Sequence, residues 1–208
     1  MKRSDQQAHT LQEPGGGPPL YLVRHGETEW NAAGRYQGAK DSPLTERGRE
    51  QARQTGRRLA HCFNGDLPLV AHVSPLGRTL ETAALIAESL PLEIRIEPRL
   101  AEISAGAWDG LSMYEIDMEY PGALSAGGQH DWYFLGPGGE TFESALGRVS
   151  AWLSEAAAPS LIVTHGLASR LVRGAYCGLT RQEMLQLPVP QDGFYMMANG
   201  RANFVPAD

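Results

Sequence analysis

The sequence predicts an α/β fold: a three-layer α-β-α sandwich with a mostly parallel central sheet and a C-terminal antiparallel hairpin. Three observations carry this. Short apolar runs alternate with amphipathic helical patterns, the order expected of parallel strands joined by crossover helices. No internal repeat replaces that alternation with a solenoid or propeller period. Near the end, Asn199-Gly200 separates two apolar runs, a strong hairpin signal.

The elements follow in order. "LYLV" (Leu20 to Val23) reads as a buried strand. "TERGREQARQTGRRLAHCF" reads as a helix started by Thr45, with Leu44, Ala52, Leu59 and Phe63 on one face. "LPLVAHV" (Leu67 to Val73) is a second strand. In "LGRTLETAALIAESL", Leu76, Leu80, Ala83, Ala84, Ala87 and Leu90 align as on a helix. "LEIRI" (Leu92 to Ile96) alternates, as a half-exposed strand does. Residues 105–140 look irregular and hold eight of the 24 glycines, with Trp108, Tyr114, Tyr120, Trp132, Tyr133 and Phe134. Such a segment suits a lid or substrate loop, its aromatics serving as packing. "TFESALGRVSAWLSEA" is an amphipathic helix, "LIV" (Leu161 to Val163) a strand, and "GLASRLVRGAYCG" a helix. "GFYMMANGRANFV" forms the hairpin.

The 208 residues suffice for one sizeable core and are short for two, so residues 19–208 are expected to form a single domain. Residues 1–18 are polar and end in a Pro/Gly cluster; they lack the apolar core of a signal peptide and are expected to be a disordered tail. No run approaches a membrane span. The net charge of −6 argues against nucleic acid or anionic lipid as partner. Two cysteines, Cys62 and Cys177, are too few for a disulfide scaffold or a metal cage, so a cytoplasmic protein with reduced thiols is expected. Oligomeric state is not readable, though a homodimer is compatible with everything above.

Chemistry concentrates at three strand ends. "LYLV" runs into Arg24-His25-Gly26, "LPLVAHV" into Ser74-Pro75-Leu76-Gly77-Arg78, and "LIV" into Thr164-His165-Gly166. Ligands of open parallel sheets bind beyond the carboxyl ends of the strands. Arg24, His25, Arg78 and His165 should therefore surround one crevice, with helix N-termini adding N–H donors. An acidic protein that gathers such groups should bind phosphate or carboxylate there. Gly26 and Gly166 allow sharp turns and a close ligand. Thr28 and Asn31 can add donors, and arginine's planar fork suits two phosphate oxygens. His72 lies inside a strand and reads as structural, His61 as solvated, and His130 as a possible substrate contact. No His-x-x-x-His or Cys-x-x-Cys spacing suggests a metal site.

The blocks around these strand ends resemble the signature of the histidine phosphatase superfamily. "LVRHGETEWN" is similar to its nucleophile block, "RYQGAKDSPLTERGREQA" to its second block and "SPLGRTLETA" to the block bearing a phosphate-binding arginine. "EISAGAWDGL" resembles the acidic block, "PGGETFESALGRV" the Pro-Gly-Gly-Glu helix start, and "VTHG" the second-histidine block. The resemblance spans about residues 19 to 205. It implies that His25 becomes phosphohistidine and that Arg24, Arg78 and His165 hold the phosphoryl group. Glu102 would be the proton donor, with Glu97 and Asp109 as rivals. Thr28, Asn31, Gln37, Gly38 and Gly166 would complete the phosphate pocket. Gly77 and Thr79 depart from the family pattern, where larger or apolar residues are usual, and imply a loose first turn around Arg78.

The resemblance implies a phosphomonoester hydrolase acting on a small phosphorylated metabolite. A mutase of the phosphoglycerate type is the alternative, although "RYQG" looks like the phosphatase form and the segment from Glu102 to Pro137 is short for a mutase. A catalytically inactive binding module is a third reading. No cofactor and no metal are expected, since clustered arginines can supply the positive charge. Activity surviving chelation would support that; loss restored by Mg²⁺ would overturn it.

Overall fold

A computed structural model describes residues 19–125 and 131–207. The expected tail and His130 fall outside these residues. Six strands, β1 (Leu20–Arg24), β2 (Leu69–Val73), β3 (Leu92–Ile96), β4 (Ser160–Thr164), β5 (Gly193–Ala198) and β6 (Arg201–Pro206), form one sheet of order β3-β2-β4-β1-β5-β6. The pairs β3–β2, β2–β4 and β4–β1 are parallel, whereas β1–β5 and β5–β6 are antiparallel. Among the described residues, seven helices accompany the sheet: α1 (Glu29–Ala32), α2 (Glu46–Cys62), α3 (Gly77–Ala87), α4 (Met113–Glu119), α5 (Phe142–Glu155), α6 (Gly166–Cys177) and α7 (Arg181–Gln186). None of the described helices is long and apolar enough to cross a membrane.

Strand alternation explains the layers. Leu20, Leu22 and Ile162 face a core completed by Trp152 of α5 and Leu171 of α6. Tyr21, Val23, Leu161 and Val163 face the opposite core, with Leu59 of α2 and Ile86 of α3. A period of two sends successive side chains to opposite faces, so strands buried on both sides read as continuous apolar runs. At the sheet's edge, β3 exposes even its apolar residues Ile94 and Ile96, so it is less buried than the half-exposed strand its alternation predicts; among the described strands only β2 pairs with it, on one side. The hairpin turn places Asn199 at φ 53° and Gly200 at φ 72°, the paired positive angles of a type I′ turn.

Helix starts are set by side chains. Thr45 and Thr141 accept from the N–H three residues on. Thr28, Ser112 and Thr180 form full capping boxes with Asn31, Glu115 and Glu183. Each such cap is worth about 1 kcal/mol.

Three differences from the sequence reading stand out. β2 begins at Leu69 rather than Leu67, because Pro68 has no N–H to give the ladder. The short helices α1 and α7 lie where no helix was expected, and their few residues show no apolar period. Residues 105–140 are more ordered than an irregular loop. They contain α4 and three 3₁₀ turns, and Ala105, Trp108 and Ile116 build a separate small core with Tyr36, Tyr120, Trp132 and Tyr133 against it.

Candidate active site

The sheet brings β1, β4 and β2 side by side, and their carboxyl ends are continuous with the site. His25 N–H donates to the Thr164 carbonyl at 2.9 Å, and Ser74 N–H to the Val163 carbonyl at 3.0 Å. These bonds extend the parallel ladders by one residue and put His25, His165 and Ser74 next to one another. The β1 and β4 chains leave on opposite faces of the sheet, towards α2 and α6, which opens a crevice between them.

A cleft of about 360 Å³ occupies this crevice. Arg24, His25, Asn31, Gln37, Gly38, Arg78, Glu102 and Gly166 line it, all foreseen in the sequence. His165 and Thr28 do not line it. Both are fully buried one layer behind.

His25 is buried, and its Nδ1 lies 2.8 Å from the Gly26 carbonyl. A carbonyl only accepts, so Nδ1 carries the proton and Nε2 keeps its lone pair. Burial, followed by the charges of Arg24 and Arg78, pushes the His25 pKa well below its usual value, so the ring stays neutral. His165 stands beside it, with ring centroids 5.2 Å apart. Its Nδ1 accepts from Arg78 Nε at 3.1 Å, and its Nε2 lies 2.6 Å from Ser74 Oγ. Because Arg78 Nε only donates, His165 must be neutral with its proton on Nε2. Burial first, then Arg78, pushes its pKa down as well.

Arg78 is held on every nitrogen. Besides His165, it donates to the carbonyls of Lys40 at 2.6 Å and Gly38 at 3.0 Å, and to Asp41 Oδ1 at 3.0 Å. The loose first turn expected from Gly77 and Thr79 is not found. Asp41 accepts from the Arg78 backbone N–H at 3.3 Å and so caps α3 from outside. A side chain at position 77 would place Cβ 2.5 Å from that carboxylate, which explains the glycine. The Thr79 hydroxyl bonds back to the Ser74 and Leu76 carbonyls.

Arg24 donates from Nη1 to the Val189 carbonyl, while its buried Nε has no partner among the described residues. Burial lowers its pKa to about 10, which still leaves it charged at neutral pH. Glu102 accepts from the N–H groups of Leu167 at 3.1 Å and Ala168 at 2.9 Å, and so caps α6. Its rivals sit elsewhere. Glu97 pairs with Arg99, and buried Asp109 ties Ser104 and Ala105 to Ala39. Thr28 caps α1 and accepts from Gln37 Nε2 at 2.8 Å, leaving Gln37 Oε1 buried without a partner among the described residues.

The glycines divide. A Cβ on Gly26 would lie 2.2 Å from the Gly48 carbonyl oxygen, so this glycine lets β1 meet α2 rather than a ligand. A Cβ on Gly166 would find only ordinary contact with Arg24 and Glu102. Gly38, at φ 51°, sits against Asp109 and needs its freedom.

Sequence reasoning missed several contributors. Gln191 donates to the His25 carbonyl at 3.0 Å and to Asn31 Oδ1 at 3.2 Å. Arg170, Trp132 and Tyr133 line the cleft. Arg170 lies four residues after Gly166, one helical turn on, and that spacing was a signal the sequence did offer.

Comparison with known proteins identifies the family. The family model described as "Histidine phosphatase superfamily (branch 1)" matches residues 20–201. Phosphoserine phosphatase 1 of Hydrogenobacter thermophilus is 37% identical over 162 residues, covering 77% of this chain and 75% of that protein. A probable phosphoglycerate mutase GpmB of an Enterobacter species is 36% identical over 167 residues, with the same shares. Among solved structures, a putative alpha-ribazole-5'-P phosphatase from Escherichia coli superposes with a TM-score of 0.77 at 28% identity, covering 91% of this chain and 95% of that one. A mycobacterial glucosyl-3-phosphoglycerate phosphatase in complex with VO3 gives 0.75 at 26% identity, covering 90% and 97%. Sequence blocks, strand-end histidines and whole-chain similarity agree: the chain belongs to the histidine phosphatase superfamily, branch 1.

Proposed function

We propose that this chain hydrolyses small phosphomonoesters through a phosphohistidine at His25. The observation that carries the reading is the locked, neutral imidazole: Nδ1 is committed to Gly26, and Nε2 is free to attack beside two guanidinium groups. In the first step the Nε2 lone pair attacks phosphorus, an N–P bond forms and the P–O ester bond breaks. The leaving alkoxide takes a proton from the Glu102 carboxyl. In the second step water gives a proton to the Glu102 carboxylate as its oxygen attacks phosphorus. The N–P electrons return to Nε2 and orthophosphate leaves.

Arg24 and Arg78 meet the charge on the transferring oxygens, where fixed positive groups matter most. His165 acts from behind by holding Arg78 Nε. Gln37 can serve the same anion: a half-turn of its amide lets Oε1 accept the Thr28 hydroxyl proton and places the N–H₂ donors where Oε1 stood.

The similarity to a probable phosphoglycerate mutase supports a second reading, in which the phosphoryl group returns to another position of the substrate. Incubation with a panel of phosphomonoesters separates the two. Steady release of orthophosphate, abolished in His25→Ala, supports hydrolysis. Bisphosphate-primed interconversion of the two phosphoglycerates with little release supports the mutase.

A further inference from the structure

Besides Arg24 and Arg78, the cleft has Arg170 and Arg35 in its wall. Arg35 is spoken for, with two guanidinium nitrogens on Glu115 at 2.7 and 2.8 Å. Arg170 is different. Its Nε donates to the Leu187 carbonyl at 2.7 Å, which fixes the plane of the guanidinium. Among the described residues its two Nη groups have no hydrogen-bond partner, and no carboxylate comes within ion-pair reach. Arg78 and Arg148, by contrast, each have a carboxylate at 3.0 Å or less. Arg170 is half-buried, and burial lowers its pKa, with Glu102 opposing from nearby. A partly desolvated, pre-aimed cation with open donors is a site for an anion.

Its place in α6 sets the distance. Gly166 sits against Arg24, at the phosphate end of the cleft. Arg170 is four residues further on, about 6 Å along the helix axis. Held against the arginine pair, a phosphoryl group would leave Arg170 to a different part of the same molecule. One guanidinium with Glu102 close by matches a single negative charge rather than a dianion.

We propose that the substrate carries a carboxylate close to its phosphoester, and that Arg170 recognises it through both Nη groups. This rests on the phosphomonoesterase reading and narrows it: three-carbon phosphorylated acids fit, and uncharged sugar or alkyl phosphates are selected against.

The test uses pairs that differ only in the carboxylate: 3-phosphoglycerate against glycerol 3-phosphate, and phosphoserine against phosphoethanolamine. Dissociation constants are measured by titration calorimetry on the full chain carrying His25→Ala, which forms no phosphohistidine. Binding therefore reports on Arg170 even if the wild type hydrolyses nothing, and wild-type phosphate release tests the phosphatase reading separately. The carboxylated member of each pair should bind at least tenfold tighter. Adding Arg170→Gln should reduce that ratio to within twofold, and Arg170→Lys should restore part of it. Unaltered thermal midpoints would establish that both variants fold. Equal affinities within both pairs, or a preference that survives Arg170→Gln, would overturn the proposal.

Discussion

Acidification from about pH 7.5 to about pH 5.5 should destabilise the fold through His25 and His165, by an amount that can be worked out. Burial is the main reason that both rings resist protonation in the folded state, reinforced at His25 by Arg24 and Arg78 and at His165 by Arg78 and His25. In the unfolded chain each returns to the ordinary value of 6.5. Below that value the unfolded state binds protons that the folded state refuses. Stability therefore rises with pH between the depressed folded values and 6.5, and is lost as pH falls through that window. Over this range each histidine contributes on the order of 1 kcal/mol, and the pair roughly 2–3 kcal/mol. For a chain of this size that is a fall of roughly 4–12 °C in thermal midpoint. Urea denaturation at the two pH values measures the effect in wild type, His25→Asn and His165→Asn. Each variant should lose about half of the pH dependence, on the order of 1 kcal/mol. Half-buried His72, whose pKa is also depressed, is common to all three chains and cancels. Variants with the wild-type pH dependence would refute the claim that these rings are kept neutral.

Other expectations are more local. Asp41→Ala removes two bonds to Arg78 from a carboxylate that is 40% exposed, so the lower end of a charged hydrogen bond, about 1.5 kcal/mol, applies and kcat/KM should fall about tenfold. An unchanged kcat/KM on p-nitrophenyl phosphate would contradict this. Gly26→Ala forces a methyl against the Gly48 backbone, and neither side can rotate away. A loss of about 3 kcal/mol in urea-derived stability is expected, at the upper end of overpacking, and a loss below about 1 kcal/mol would contradict it. Glu102→Gln removes the proton that an alkoxide needs. Turnover of alkyl phosphates should fall by about 10²–10⁴, with a smaller loss on p-nitrophenyl phosphate, whose leaving group needs no acid. Equal losses on both would remove Glu102 from that role.

Much of the fold was legible because its signals are local. Buried strands that end in a basic residue and a glycine, threonine-capped amphipathic helices and an Asn-Gly turn each declare themselves within a few residues. Arg24, His25, Arg78 and His165 could be placed together because strand topology, not detailed packing, does the placing. What escaped depends on distant contacts. Gln191 acts on His25 and Asn31 across more than 150 positions, and nothing in its own neighbourhood marks it. Gly26 looked like a turn for a ligand, but its reason is the backbone of Gly48. α4 and α7 were missed although Ser112 with Glu115 and Thr180 with Glu183 write the capping-box pattern; their runs are too short for an apolar period to support it.

Rapid quench with a labelled phosphomonoester bears most directly on the central claim. The wild-type chain should carry label during turnover, in an acid-labile, alkali-stable linkage typical of a phosphoramidate, and His25→Ala should carry none. An unlabelled wild type that nevertheless releases phosphate, or label that persists in His25→Ala, would contradict a phosphohistidine at His25.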